Sequence, residues 1–377
     1  MLTSTIHIDT EPVVCIAADN GNTFFKGAIL DSRGQLKTVI IPTAYCPHID
    51  DKAGTTIVRY RVKSGDTAGD TFAIGHPAIA RGGAALMVGS TAERLPDLRQ
   101  REFLLASIIE LLLAGGYTAG AHTLLLGFAI PNIEVERVSG RGMGAREDTR
   151  TALKHYLNKA TFEVERIDAR DARSTWTLTI QSILPQAQTL GTFIAWSHTP
   201  TGRLVTDVEA VDVLDGGGGD LQRAQIFVDR TGRTPSFAMS SERLGDGSVV
   251  LAQALRRKLH ERHRDMTDIA AHIGLMTGKA TIHGKPTDIR AEVADVQAIQ
   301  GRELQAKMLP VLRQTGRYVV VSGGLAVLLR GPILAALDAL SKREPDDALV
   351  INHGLAPITN VVGTLFAVLF AAAARRR

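Results

Sequence analysis

The chain has 377 residues, 45% of them hydrophobic and 22% charged, and it carries a formal net charge of +4 at pH 7. This balance is typical of a folded globular protein and excludes a disordered or fibrous chain, and the length favours two domains. Because lysine and arginine are interspersed with acidic residues, direct nucleic-acid binding is not predicted.

The cysteines and the two ends of the sequence indicate the compartment. Cys15 and Cys46 form no CxxC pair, which fits a reducing environment and argues against a zinc or disulfide framework. Residues 1–12 show no secretory signal, so we predict a cytoplasmic protein. The most apolar stretch, Thr364 to Ala374, is shorter than the about 20 residues that cross a bilayer as a helix. We therefore expect a buried terminal helix and no direct membrane contact.

The first half of the sequence begins with a hairpin and then alternates strands and helices. The apolar run Val13 to Ala18, the turn Asp-Asn-Gly-Asn and the run Lys26 to Leu30 predict two strands joined by a tight turn. The next predicted elements are a strand at 39–41, a helix at 103–113, strands at 123–130, 162–167 and 176–183, and a helix at 188–196.

The second half opens in the same way as the first. Strands are predicted at 210–214 and 224–229, on either side of a run of four glycines. They are followed by predicted helices at 249–263, 266–273 and 289–312 and a strand at 318–321. We expect a first lobe at 1–184, with a smaller subdomain at about 43–100 and completed by a C-terminal helix at 355–377, and a second lobe at 185–354, with a smaller subdomain at about 236–315.

The first candidate site is the turn of the opening hairpin. Backbone N–H groups in such a turn can wrap phosphate oxygens, and Lys26 on the outgoing strand supplies positive charge. Asp19, at the end of the incoming strand, can hold a hydrated Mg²⁺. The turn residues are Asn20, Gly21, Asn22 and Thr23. Read by itself, the segment is also an ordinary hairpin turn.

Two further segments place glycines at the ends of predicted strands. Asp215 is followed by glycines whose missing Cβ atoms would leave room for a phosphate; these are Gly216, Gly217, Gly218 and Gly219. The third segment follows the strand at 318–321, where ligands lie in open α/β sheets; it is Ser322, Gly323 and Gly324. A flexible turn and a strand-to-helix turn are the alternative interpretations of these two segments.

Taken in order, the three segments resemble the phosphate-1, phosphate-2 and adenosine motifs of the superfamily that contains actin, sugar kinases and heat-shock-chaperone ATPases. The resemblance implies an α/β fold of the actin/heat-shock-chaperone ATPase type, with two lobes of duplicated ribonuclease-H-like topology around a nucleotide cleft. It implies ATP or ADP with Mg²⁺ as the ligand, and Asp19 and Asp215 as the residues that hold the metal through water. Pro185-Gln186 is similar to the first connecting motif of the superfamily, and residues 359–363 are similar to the second.

Softer patterns resemble one branch of this superfamily, the bacterial and archaeal actin-like proteins of the ParM (StbA) type. These patterns are Ile41-Pro42-Thr43, residues 72–78 and Ile183-Leu184-Pro185-Gln186. The resemblance implies an ATPase that polymerises with itself into nucleotide-regulated filaments, as a cytoskeletal element or in plasmid segregation. A DNA-bound adaptor protein is then a candidate partner.

Two residues at these motifs call for separate interpretation. Gln186 occupies the place where the superfamily carries a Gln or Glu that orients the attacking water, which implies a catalytic role together with Asp19 and Asp215. Asp220 stands where the family commonly has a threonine. Because a bare carboxylate repels phosphate, Asp220 either joins the hydration shell of Mg²⁺ or points away from it.

Two other functions are compatible with the same fold. A small-molecule kinase of the sugar-kinase type needs a carboxylate aimed at a substrate hydroxyl, for which Asp168 and Asp171 are the candidates. A chaperone ATPase would need a peptide-binding domain, for which no room follows the adenosine motif. The filament-forming ATPase is the preferred hypothesis.

Overall fold

The computed structural model describes residues 3–8, 11–49, 57–64, 67–86, 89–138, 142–204, 207–229, 236–260, 266–282, 285–314, 318–333, 348–350 and 355–374. Contacts within the chain divide it into two compact units. The first unit comprises Met1–Val205 and Val361–Arg377, and the second comprises Thr206–Asn360. Residues 185–205 thus pack with the first unit, whereas the sequence analysis assigned them to the second lobe.

A large mixed sheet forms the centre of the first unit. Its strands run in the order β4-β3-β2-β10-β14-β13-β6-β7, and β1 pairs with β2. Strands β2, β10 and β14 are parallel to one another, and the remaining pairs are antiparallel. The bounds are β1 (Thr5–Ile8), β2 (Glu11–Asn20), β3 (Phe24–Leu30), β4 (Leu36–Pro42), β5 (Ala44–Cys46), β6 (Arg59–Ser64), β7 (Thr67–Ala68), β8 (Ala73–Ile74), β9 (Ala84–Ala85), β10 (Gly120–Ile130), β11 (Val135–Val138), β12 (Gly142–Ala145), β13 (Ala160–Ile167) and β14 (Arg173–Ala187).

The helices of the first unit cover this sheet. Residues 13–18 of β2 are buried on both faces, which explains why this strand is a continuous apolar run. Strands β5, β8 and β9 form a separate small sheet, and β11 and β12 form a hairpin. The helices are α1 (Gly75–Ala80), α2 (Thr91–Arg94), α3 (Leu98–Ala114), α4 (Glu147–Tyr156) and α5 (Gln188–Ser197), with a 3₁₀ turn at Asn132–Glu134.

The second unit contains a five-stranded sheet in the order β17-β16-β15-β20-β21. Strands β15, β20 and β21 are parallel, whereas β16 pairs antiparallel with both β15 and β17. The strands are β15 (Ala210–Gly216), β16 (Asp220–Asp229), β17 (Ser236–Asp246), β18 (Lys279–Ile282), β19 (Lys285–Asp288), β20 (Tyr318–Ser322) and β21 (Ala348–Val350). The helices are α6 (Ser248–His260), α7 (Asp268–Thr277), α8 (Arg290–Gln314) and α9 (Gly324–Leu328), followed by a 3₁₀ turn at Ala356–Ile358 and by α10 (Thr359–Ala374), most of which belongs to the first unit.

The same local arrangement occurs once in each unit. Strand β2 continues through a tight turn into β3 and lies beside the parallel strand β10, and β15 continues through a tight turn into β16 and lies beside the parallel strand β20. The predicted opening of each half by a strand, a turn and a strand is therefore confirmed. The strand predicted at 224–229 begins earlier, at Asp220, because only residues 217–219 are needed for the turn.

The C-terminal helix corrects one prediction and confirms another. Ala356–Ala374 is a helical run of 19 residues with a mean hydropathy of 1.8, so the expectation that this segment is too short to span a bilayer is wrong on length. However, 72% of its most apolar window is buried inside the protein, as in the core helix of a soluble protein. The predicted buried terminal helix is present.

Helix α10 approaches helix α5 so closely that Gly363 has no space for a side chain. A Cβ atom on Gly363 would lie 1.7 Å from the carbonyl oxygen of Gly191 and 2.7 Å from the backbone nitrogen of Ala195. We expect Gly363→Ala to lower the free energy of unfolding by about 1–3 kcal/mol, because the two backbones must move apart. Urea denaturation measures this loss.

The matched control is Gly331→Ala, since a Cβ atom at Gly331 meets no atom within 4 Å. Equal denaturation midpoints for the two variants would contradict the close contact between the two helices.

Candidate functional site

The first turn is held at both of its ends by the hairpin of β2 and β3. Asp19 pairs with Lys26 and Asn20 pairs with Phe25. Because β2 ends at Asn20 and β3 begins at Phe24, residues 21–23 form the turn. Asp19 is buried, and its two carboxylate oxygens have different partners. Lys26 Nζ lies 3.3 Å from Oδ2, and Gln188 Nε2 donates to Oδ1 at 3.1 Å. The turn thus combines a buried carboxylate with a lysine ammonium group.

Gln186 and Gln188 stand on different elements near this turn. Gln186 lies in β14 and pairs with Ala129, which in turn pairs with Asp19, so these three residues form one row across three parallel strands. Side chains in one row lie on the same face of a sheet. Gln188 is the first residue of α5 and contacts Asp19 directly. The sequence analysis singled out Gln186 and missed Gln188, although both belong to the segment Pro-Gln-Ala-Gln.

The second turn joins β15 to β16 and contacts the beginning of helix α6. The N–H group of Gly217 donates to the carbonyl oxygen of Asp220 at 2.9 Å, which closes the turn. The N–H groups of Ser248 and Val249 donate to the carbonyl oxygens of Gly217 and Gly218, at 3.0 and 2.8 Å. A Cβ atom on Gly217 would meet nothing closer than the carbonyl oxygen of Asp220, at 3.7 Å, so a side chain there would not clash.

The structure brings the third predicted segment against the second turn. Asp215 pairs with Ser322 in the parallel ladder of β15 and β20, and Ser322 Oγ donates to Asp215 Oδ1 at 3.0 Å. Gly323 has a φ of +86°, and a Cβ atom there would lie 2.2 Å from the carbonyl oxygen of Gly216. Only glycine combines this backbone conformation with so close an approach. Gly324 begins helix α9.

Asp220 begins strand β16 and makes a local hydrogen bond. Its Oδ2 accepts from Gln222 Nε2 at 2.7 Å. Burial raises the pKa of the Asp220 carboxyl group, and the hydrogen bond from Gln222 and the charge of Arg243 oppose this effect.

Within the second unit, a cavity lies beside the segment formed by Ser322, Gly323 and Gly324. Its apolar wall is formed by Leu221, Leu251, Leu325 and Leu329, and Asp246 and Lys307 are among its polar lining residues. The cavity therefore offers an apolar surface to a flat ring together with polar groups for its edge. The sequence analysis missed its lining, because these residues come from β16, β17, α6, α8 and α9 and form no motif.

The residues of the first turn fit a hydrated magnesium ion. Asn20 is 2% exposed, and its Oδ1 atom has no hydrogen-bond donor among the residues that the structure describes; the same holds for Asn22 Oδ1. Carboxylate and amide oxygens suit Mg²⁺ or the water molecules bound to it. Within the described ranges, no three His, Cys, Asp or Glu side chains cluster closely enough to hold a metal directly. A metal held through water is consistent with this donor set.

Known proteins resemble this chain in structure but not in sequence. No family model matches the sequence, and no curated protein matches it. The solved structures of three actin-like proteins superpose on nearly the whole chain.

The archaeal actin homologue Ta0583 superposes with a TM-score of 0.65 at 14% identity, covering 97% of this chain and 100% of its own. The actin-like protein Alp7A gives a TM-score of 0.66 at 13% identity, covering 96% and 97%. ParM of Bacillus thuringiensis with ATP gives 0.61 at 15% identity, covering 94% and 98%. These coverages confirm the fold class that the three glycine-bearing segments implied. The chain has the actin-like ATPase fold, in the form shared by ParM, Alp7A and the archaeal actin homologue.

Proposed function

We propose that this protein is a cytoplasmic ATPase that binds MgATP through its two hairpin turns and assembles into filaments whose stability depends on the bound nucleotide. The observation that carries the proposal is the repeated turn: in each unit a buried aspartate, Asp19 or Asp215, is the last but one residue of a central strand, and a glycine-containing turn follows the strand. Two solved structures of this fold, Ta0583 and the Bacillus thuringiensis ParM, contain ADP and ATP respectively.

In this proposal the two turns serve the same nucleotide. Asp19 and Asp215 hold the hydrated Mg²⁺, which neutralises phosphate charge. Lys26 and the backbone N–H groups of both turns bind the phosphate oxygens. The nucleoside lies at Ser322, Gly323 and Gly324, beside the cavity lined by Leu325 and Lys307.

Gln186 is proposed to orient the water that attacks the terminal phosphate. An amide can position water but is a poor base, so hydrolysis would be slow and would act as a timer for the filament. Gln188 supports the same region through its hydrogen bond to Asp19.

The kinase alternative is disfavoured by the surroundings of its two candidate carboxylates. Asp168 Oδ1 accepts from the N–H groups of Arg170 and Ala172, at 2.7 and 2.9 Å, and these bonds lower the pKa of the Asp168 carboxyl group. Asp171, which has a φ of +63°, pairs with the buried Arg59. Both residues therefore build the turn between β13 and β14 and are not presented to a substrate.

The test of the proposed function is assembly of the purified protein. We expect MgATP to produce filaments above a critical concentration, because head-to-tail contacts between identical subunits generate an open polymer. Pelleting and electron microscopy with MgATP, with a slowly hydrolysed analogue and without nucleotide measure this. A monomer at every concentration that phosphorylates a small metabolite would instead establish the kinase. Plasmid segregation through a DNA-bound adaptor is the cellular role that we propose for the filament.

A further inference from the structure

Two buried side chains donate hydrogen bonds to backbone carbonyl groups of the first turn. Arg94, the last residue of α2, donates from Nη1 to the carbonyl oxygen of Asn20. Thr43, which follows strand β4, donates from Oγ1 to the carbonyl oxygen of Gly21 at 2.9 Å, and its N–H group donates to the carbonyl oxygen of Thr23 at 2.9 Å. Arg94 is 5% exposed and Thr43 is 1% exposed. The carbonyl groups of three of the four residues 20–23 are thus held by these two residues.

Because these carbonyl groups are fixed, the directions of the N–H groups that follow them in the chain are fixed as well. In a trans peptide the C=O and N–H bonds point in opposite directions. When the carbonyl of Asn20 points towards Arg94, the N–H of Gly21 points away from it; when the carbonyl of Gly21 points towards Thr43, the N–H of Asn22 points away likewise. Successive N–H groups on one side of a turn make a concave site for an anion.

Arg94 also places a positive charge next to the carbonyl group of Asn20. Burial lowers the pKa of the Arg94 guanidinium group, and the carboxylates of Glu134, Asp19 and Glu93 oppose that effect. An arginine stays protonated under such conditions because its guanidinium group is not deprotonated in proteins. Because this charge is buried, water and salt screen it less than they would screen the charge of an exposed lysine.

Helix α2 is built to hold Arg94 in place. Ser90 caps the helix, and Ser90 and Glu93 exchange hydrogen bonds in a capping box. Glu134 Oε1 accepts from the N–H of Thr91 at 2.8 Å, and Glu134 Oε2 accepts from Thr149 Oγ1 at 3.1 Å. The short helix is therefore fixed at its start, and its last residue reaches the turn.

The hydrogen bonding at the turn is incomplete without a ligand or water. Asn20 Oδ1 and Arg94 Nε are both buried, and neither has a partner in the part of the chain that the structure describes. Asn20 Oδ1 is an acceptor of the kind that the water shell of a metal ion requires, and a buried water molecule would satisfy the Arg94 Nε donor.

We propose that Arg94 and Thr43 are positioning residues that set the first turn in its phosphate-binding conformation, with Arg94 adding a buried positive charge. Neither residue touches the phosphate; they act through the carbonyl groups of Asn20 and Gly21. The proposal rests on the proposed function, since it concerns the turn that would bind ATP. Both residues lie in the first unit but are far from the turn in sequence.

The test compares ATP with adenosine, using matched variants. Arg94→Gln shortens the side chain and removes its charge, and Arg59→Gln is the control, since Arg59 is equally buried but pairs with Asp171. Thr43→Val removes the hydroxyl group and Thr43→Ser keeps it. Thr71→Val is the control for this pair, because Thr71 Oγ1 donates to the carbonyl of Ile49 in the same unit. Calorimetric titration gives the dissociation constants for MgATP and adenosine.

We expect Arg94→Gln and Thr43→Val to weaken MgATP binding by about tenfold or more, while adenosine binding and both control variants stay within about twofold of the parent. Thr43→Ser should restore the affinity. A merely structural role would lower MgATP and adenosine affinity in parallel, and unchanged MgATP affinity in both variants would equally overturn the proposal. If Arg94→Gln does not fold, the Thr43→Val and Thr43→Ser pair decides.

Hydrogen–deuterium exchange without nucleotide separates this proposal from the proposed function. Peptides covering residues 17–28 should exchange faster in Arg94→Gln and Thr43→Val than in the parent, and at the parental rate in the two controls. If the parent chain binds no nucleotide, the proposed function fails, and unchanged exchange in both variants then overturns the positioning role as well.

Discussion

Asp215→Asn is expected to weaken MgATP binding by about 100-fold, or ~2.7 kcal/mol, while leaving the weaker binding of metal-free ATP nearly unchanged. The substitution keeps the shape of the side chain and its acceptor for Ser322 Oγ, but it removes the negative charge that attracts the hydrated metal. Titration of ATP with Mg²⁺ and with a chelator measures both affinities.

The control for this variant is Asp212→Asn in the same strand. Asp212 is as deeply buried as Asp215, but its Oδ1 accepts from Arg223 Nε at 2.7 Å. Loss of that ion pair should lower the free energy of unfolding without a selective effect on MgATP. Equal losses of MgATP and metal-free ATP in Asp215→Asn would show that Asp215 supports the turn and does not serve the metal.

Gln186→Ala should slow ATP hydrolysis on the order of 100-fold while the dissociation constant for MgATP stays within about twofold. Gln186 shares a row of the sheet with Asp19, and Ala129 lies between them, so the side chains of Gln186 and Asp19 lie on the same face of the sheet. Single-turnover measurements with bound ATP separate the chemical step from binding.

Gln188→Ala is the necessary comparison, because Gln188 is the glutamine that contacts Asp19. Its loss should chiefly weaken MgATP binding, since Asp19 then loses one of its fixed hydrogen bonds. A parental hydrolysis rate in Gln186→Ala together with slow hydrolysis in Gln188→Ala would transfer the water-positioning role to Gln188.

The sequence was informative where one short segment carries the whole signal. Residues 13–18 are apolar at every position because β2 is buried on both faces, and the turn that follows is visible in Asp-Asn-Gly-Asn. The glycines at 216–219 and 323–324 were recognisable because glycine destabilises a strand, so several glycines at the end of a strand indicate a turn or a close approach of the backbone. The pairing of these two segments through Asp215 and Ser322 is seen only in the structure, where their strands are parallel neighbours.

The residues that reasoning from the sequence missed act over long separations. Arg94 reaches a carbonyl 74 positions earlier, and Thr43 reaches one 22 positions earlier. Neither contact has a local pattern, because a side chain can bond to the backbone carbonyl of any residue type. Short strands such as β8 and β9 were missed for a related reason: two residues are too few to show an alternating pattern.

The order in which a ribosome makes this chain differs from the order in which its two units can be completed. The second unit, Thr206–Asn360, is one uninterrupted stretch, whereas the first also needs Val361–Arg377, which follow the second unit in the sequence. Until α10 emerges, the surface of β10 at Gly127 lacks Val368, whose Cγ2 would lie 2.6 Å from a Cβ atom at Gly127. The first unit therefore cannot cover this surface of β10 until the whole second unit has been translated.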